Sequence, residues 1–224
     1  DKDFVVKTIF LGYAHASTGP VPANDKQFYT SDVAGYAFDV GRAKSLLDEA
    51  GLKPAADGVR LRLKLLPAPY FNETRQFGDY LRQALDAIGI DAVLVSNDAA
   101  AHQKAVYTDH DFDPAVAPPV FRGDPAISTT VLVRSGAPDG VPFTNQGGYI
   151  NAQLDQVIDG AGSELNEKKR VELYYQFQKD VVADLPLINV AEWSFITVAR
   201  TSVKNVSNNP RWAVSNWADT WVDA

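Results

Sequence analysis

The chain has 224 residues, 46% hydrophobic and 22% charged, which is globular composition with enough apolar material for a sizeable core. Its net charge of -7 and the lack of any Lys/Arg run argue against a nucleic-acid partner and against a polybasic membrane-surface role. No cysteine is present, which removes disulfides, thiolate nucleophiles and Cys-ligated zinc, and no apolar run approaches the length of a membrane span, so no membrane insertion is expected.

At the N-terminus, Phe4 to Leu11 followed by Ala14-His15-Ala16 imitates a leader with a cleavage site. Lys7 interrupts the apolar stretch and Asp1-Lys2-Asp3 is acidic, so the segment is read as part of the folded chain. Methionine is absent, which points to a processed or partial chain. Asp39 is placed to cap a helix with Val40, Ala43, Leu46, Leu47 and Ala50 on one face, stopped by Gly51. Val59, Leu61, Leu63 and Leu65 alternate with basic residues and predict a half-buried strand. Asn72 is the expected cap of a second helix with stripe Phe77, Leu81, Ala84, Leu85 and Ile88, closed by Gly89, and residues 90–95 form the next strand. This order predicts a parallel βαβ unit with a right-handed crossover.

Residues 109–148 are rich in Pro and Gly and predict short strands at 115–120 and 129–133 between loops. A short helix follows through Leu154, Val157, Ile158 and Ala161. Asn166 then caps the longest helix, which runs through Val171, Tyr174, Phe177 and Val181 to Leu185 and stops at Pro186. The run 187–198 is β-prone, and the tail carries Trp212, Trp217 and Trp221. The class is α/β.

Catalytic and metal motifs are not evident. Asp109-His110-Asp111-Phe112-Asp113 opens like a calcium loop, but Pro114 and Val120 stand where the turn Gly and bidentate Glu belong. His15, His102 and His110 have no helical i, i+4 pairing, and no nucleophile elbow or phosphate-binding glycine loop occurs. Arg122-Gly123-Asp124 spells an adhesion tripeptide that Pro125 turns into an ordinary bend. No metal, no cofactor and no catalytic residue is predicted.

Five passages resemble, in order, the peptide/nickel/opine class of bacterial extracellular solute-binding proteins, family 5. These are Gly12-Tyr-Ala14 with Thr18-Gly-Pro-Val-Pro22; Tyr36 to Gly51; Leu81 to Ala92; Gly148-Tyr-Ile-Asn151 to Asp155; and the long helix ending Asp184-Leu-Pro186. The resemblance implies a lobe of the periplasmic-binding-protein-like (type II) fold, with a mixed sheet and flanking helices. It implies that residues 1–22 are the end of lobe I and the hinge, 23–200 lobe II, and 201–224 the return segment to lobe I. It further implies a periplasmic or membrane-tethered extracellular protein that binds a small peptide or peptide-like solute between two lobes and delivers it to ABC transporter permease subunits, without enzymatic activity. Asp124 is the implied partner of a ligand ammonium and Arg122 a candidate for a ligand carboxylate; Asn145 and Tyr149 are candidates for hydrogen bonding and stacking. A hydrolase on an α/β scaffold, or a carbohydrate or adhesion module using the Trp-rich tail, are the alternatives.

Overall fold

The computed structural model describes residues 1–119, 121–194, 196–206 and 217–223. A short helix α1 (Lys2–Phe4) is capped by the Asp1 side chain and continues into a wider π turn, Val5–Ile9, that buries Val5 and Ile9. Strand β1 (Ala14–Ala16) follows.

Helix α2 (Val40–Glu49) starts where expected, with the Arg42 N–H donating to Asp39 Oδ1 at 2.8 Å. Gly51, at φ +80°, ends it in a conformation that side chains rarely adopt. Its apolar stripe is not covered: no α2 residue is buried, and Leu46 is 48% exposed.

The crossover unit forms as the change of period predicts. Strands β2 (Leu61–Pro67) and β3 (Ile90–Leu94) are parallel, with Leu61 opposite Ile90 and Leu65 opposite Leu94, and are joined by α3 (Asn72–Asp86). The expected cap residue Asn72 is instead the first residue of α3, and Phe71 holds the cap position without a side-chain bond. The Thr74 hydroxyl steadies that entry by donating to the carbonyls of Ala68 (2.6 Å) and Phe71 (2.7 Å). Gly78 lets α3 lie against β2: a Cβ there would stand 2.4 Å from Pro67 Cγ.

Strand β4 (Ala115–Val116) pairs with the other edge of β2, giving a three-stranded parallel sheet in the order β3-β2-β4. A central strand is covered on both faces. The simple alternation therefore fails at the end of β2, where consecutive Leu65 and Leu66 are both buried. Antiparallel pairing is confined to two-stranded ladders, so the expected mixture of strand directions is divided among sheets. One ladder joins β1 to β5 (Ala191–Trp193), and the other joins β6 (Val203–Lys204) to β7 (Trp221–Val222).

Between β3 and β4 lies a helix that the Ala-rich sequence does not announce, α4 (Ala99–Tyr107), capped by Asp98. Its Val106 and Tyr107 pack with Leu66 on one face of the sheet. The predicted strand 129–133 is absent, replaced by 3-10 turns at Pro125–Ile127 and Thr130–Leu132. Hydroxyls compete there with strand pairing: Ser128 Oγ donates to the Asp124 carbonyl, and Thr130 Oγ1 to that of Pro125 at 3.0 Å. The other predicted strand, 115–120, shortens to β4, and Val120 lies outside the described residues. Of the β-prone run 187–198 only β5 is a strand; Phe195 also lies outside the described residues.

Helices α5 (Ala152–Ser163) and α6 (Glu167–Asp184) form the largest core. Asn151 and Asn166 cap them through their side-chain carbonyls, and Leu185, at φ +55°, ends α6 before Pro186. Leu154, Ile158 and Ala161 meet Tyr174, Phe177 and Val181, with Val21, Phe28 and Val133 closing the cluster. Trp217 (44%) and Trp221 (51%) are more exposed than the half-buried Trp193; Trp212 lies outside the described residues.

Candidate ligand-binding site

In open parallel α/β sheets, ligands collect beyond the carboxyl ends of the strands, where loops diverge and backbone groups lack sheet partners. Here those ends are the chain after Pro67, the chain after Leu94 and the chain after Val116.

After β2, Ala68 is fully buried and its N–H donates to the Val116 carbonyl at 2.8 Å, so the loop is fixed at its root. Tyr70, next but one, is 39% exposed and meets the ring of His102 edge-on, with centroids 5.9 Å apart and planes at 86°. His102 is 3% exposed and its Nδ1 is buried with no hydrogen-bond partner. Burial disfavours the charged ring and lowers its pKa below the usual histidine value. The sheet end is thus floored by a neutral, apolar-like imidazole under a half-exposed phenol.

Beyond β4 comes Arg122. It is exposed and makes no ion pair among the described residues. Two residues on, Asp124 caps the turn at Pro125, accepting from the Ala126 N–H at 2.9 Å. Its carboxylate is also held by Arg170 of α6, whose Nη2 donates to both oxygens at 2.9 and 2.8 Å. The Arg170 guanidinium lies 5.0 Å from the ring centroids of both Phe28 and Tyr174. Burial opposes its charge, yet Asp124 and Tyr174 together outweigh that and leave its pKa raised. Asp124 is therefore tied into the α6 core, with Oδ2 keeping acceptor capacity toward solvent on a side chain 33% exposed.

Asn145 and Tyr149 lie elsewhere, together. Asn145 is buried: Nδ2 donates to the carbonyls of Arg134 (3.2 Å) and Tyr149 (2.7 Å), and Oδ1 accepts the Tyr149 N–H at 3.1 Å. The Tyr149 hydroxyl donates to Asp184 at the end of α6 and accepts from Asn151 Nδ2 at 2.9 Å. Burial and the Asp184 carboxylate both push its pKa up. Both residues line a recess of about 130 Å³, open to solvent, with Tyr107, His110 and the 136–141 loop on its other side. Of the four residues singled out by sequence, Asn145 and Tyr149 line this recess, and Arg122 and Asp124 do not. The Asn145 and Tyr149 polar atoms are spent on closing the loop.

Tyr70 and His102 escaped sequence reasoning. A signal existed: Pro67-Ala-Pro-Tyr70 stands at the end of a predicted parallel strand, where ligand-facing residues are expected. Among the described residues, no group of three or more His, Asp or Glu is placed to hold a metal, and no helix is long and apolar enough to cross a membrane.

Comparison with known proteins bears on the same segments. Residues 1–137 match the family described as bacterial extracellular solute-binding proteins, family 5 Middle. The dipeptide-binding protein of Escherichia coli K12 is 24% identical over 94% of the chain, and Protein XP55 of Streptomyces lividans is 29% identical over 82%. The chain spans only 38% and 34% of those relatives' lengths. Among solved structures, the oligopeptide-binding protein AppA from Bacillus subtilis, in complex with a nonapeptide, superposes with a TM-score of 0.81. It does so at 18% identity, over all of this chain and 45% of that one. The AppA protein from Clostridium difficile gives a TM-score of 0.79 at 22% identity, over 100% of this chain and 45% of that one. These likenesses identify the fold as the periplasmic-binding-protein type that the sequence implied. By the match of more than half its length, the chain belongs to the bacterial extracellular solute-binding proteins of family 5.

Proposed function

We propose that the chain is most of one lobe of the substrate-binding component of an ABC importer, taking a peptide-like solute at the carboxyl end of the β3-β2-β4 sheet. The observation that carries this is membership of an extracellular solute-binding family, together with dipeptide-binding relatives aligned over 94% of the chain. Arg122 offers an unpaired guanidinium to the ligand carboxylate through a bidentate fork. Tyr70 supplies a stacking face, and Asp124 Oδ2 accepts from a ligand ammonium while Arg170 holds the carboxylate in place. Asn145 and Tyr149 support the surface indirectly, by closing the loop that leads into α5. The action is binding and release to permease subunits, without covalent chemistry, in a periplasmic or membrane-tethered extracellular protein.

Residues 1–22 and 201–224 are the crossings to a second lobe, and 23–200 the lobe itself. The side-by-side pairing of β1 with β5 supports this, because it sets residues 14–16 of the entering segment against residues 191–193, shortly before the leaving segment begins. A ligand enclosed by two lobes loses most of its water and gains from every polar contact made in a dry site.

The test is calorimetry of a panel of di- to pentapeptides against the full-length gene product and its Arg122→Ala variant. Loss of the guanidinium should weaken peptides with a free carboxylate by about tenfold or more, and amidated peptides hardly at all. Equal affinities for both peptide classes in both proteins would remove Arg122 from the site. Failure of every peptide to bind would remove the peptide reading.

A further inference from the structure

His110 stands at the entrance of β4 with its backbone at φ +50°, a conformation uncommon for a side-chain-bearing residue and one that needs a surrounding structure to hold it. Its ring faces two acceptors. Nδ1 lies 3.2 Å from the Gln146 carbonyl, and Nε2 lies 3.5 Å from Asp139 Oδ1. A carbonyl oxygen only accepts, so Nδ1 carries the hydrogen. In the neutral ring Nε2 then presents its lone pair to a carboxylate oxygen. Two acceptors facing each other across 3.5 Å repel unless a positive charge stands between them.

The separation fits a bound divalent ion. Nitrogen and oxygen ligands about 2.1 Å from a tetrahedral divalent ion lie roughly 3.4 Å apart, close to the distance found. An imidazole whose other N–H donates to a backbone carbonyl is the usual support of a metal-bound histidine, because that bond fixes both tautomer and ring direction. One imidazole and one carboxylate suit zinc, nickel, cobalt or copper better than calcium or magnesium. The pair sits at the rim of the solvent-open recess, so water or a small chelating molecule can complete the coordination.

We propose that His110 Nε2 and Asp139 Oδ1 form a two-residue, exchangeable site for a divalent transition-metal ion at the mouth of the recess, separate from the carboxyl end of the parallel sheet. The ion joins the chain before β4 to the 136–141 loop, which otherwise meets it through the Gly140 N–H and the Tyr107 carbonyl. With only two protein ligands, the site loads and unloads readily.

Zn²⁺ titration by calorimetry, on chain free of any histidine tag, tests this. One-to-one saturable binding is expected, weakened at least about tenfold by His110→Ala and by Asp139→Asn, and unchanged by His15→Ala at the exposed histidine. Nitrogen NMR of the His110 ring gives a second readout that a misfolded variant cannot confuse: Zn²⁺ should shift Nε2 and leave Nδ1 protonated. No saturable binding, binding that survives His110→Ala, or a ring that carries both protons and ignores Zn²⁺ would overturn the proposal. In the last case the charge between the two acceptors is only a proton. Peptide binding is read separately, so failure here leaves the solute-binding reading untouched.

Discussion

The two halves of the molecule bury their helices very differently. Around α5 and α6, Tyr174, Phe177 and Val181 are fully enclosed, and even polar Gln178, 1% exposed, is satisfied by Phe28, Tyr174 and Thr30. Around the parallel sheet the equivalent cluster is Leu66, Val106 and Tyr107, and α2 buries nothing. Burial of apolar surface supplies most folding free energy, so the α5–α6 half should anchor the fold while the sheet half remains open for contact. The unequal division suits the proposed binding lobe, whose working surface must stay accessible while something else keeps it in shape.

The largest effect that would break this comparison is expected in the core. Phe177→Ala should destabilise the chain by about 3–5 kcal/mol, measured by urea unfolding, since a large ring would leave a cavity between α5 and α6. A loss under 1 kcal/mol would mean that this cluster is not the anchor. Second in size is Gly78→Ala. Its added methyl would meet Pro67 Cγ at 2.4 Å, and the required separation of α3 from β2 should cost about 1–3 kcal/mol.

Next comes pH. His102 is held neutral by burial, so its folded pKa is depressed below the unfolded value of about 6.5. For a base this means that its contribution is present above the unfolded pKa and is lost as pH falls through it toward the folded value. The melting temperature should therefore fall on acidification below about pH 6.5 more steeply in the wild type than in His102→Phe. Parallel profiles would contradict the buried, unpartnered ring. The smallest effect is expected at Leu46→Ala on α2, within about 0.5 kcal/mol, because that side chain is already 48% exposed.

What the sequence revealed follows the same division, for a physical reason. Helices α5 and α6 and the βαβ unit carry long, strong periodicities, with caps at Asn151 and Asn166, and those local signals agree with the tertiary outcome. Helix α4 hid because Ala99-Ala-Ala101 has no amphipathic contrast, although Asp98 in front of it is a good cap. The segment 129–133 looked like a strand from its β-branched residues, but Thr130 and Ser128 turn their hydroxyls back onto nearby carbonyls and close 3-10 turns instead. Site residues were harder. The partner of Asp124 is Arg170, forty-six positions away, and the neighbour of Tyr70 is His102. Such pairings are made by the topology, not by local pattern. Asn145 and Tyr149 read as polar, ligand-like residues because nothing local says that their hydrogen bonds are already used.

The most direct test of the account is amide NMR of the isotopically labelled chain during titration with a short peptide of free termini. If the carboxyl end of the parallel sheet is the ligand face, shifts should concentrate at residues 68–71, 95–98 and 117–124, with the α5–α6 core unmoved. Shifts confined to the recess around 107–110 and 136–150, with the strand ends silent, would contradict it.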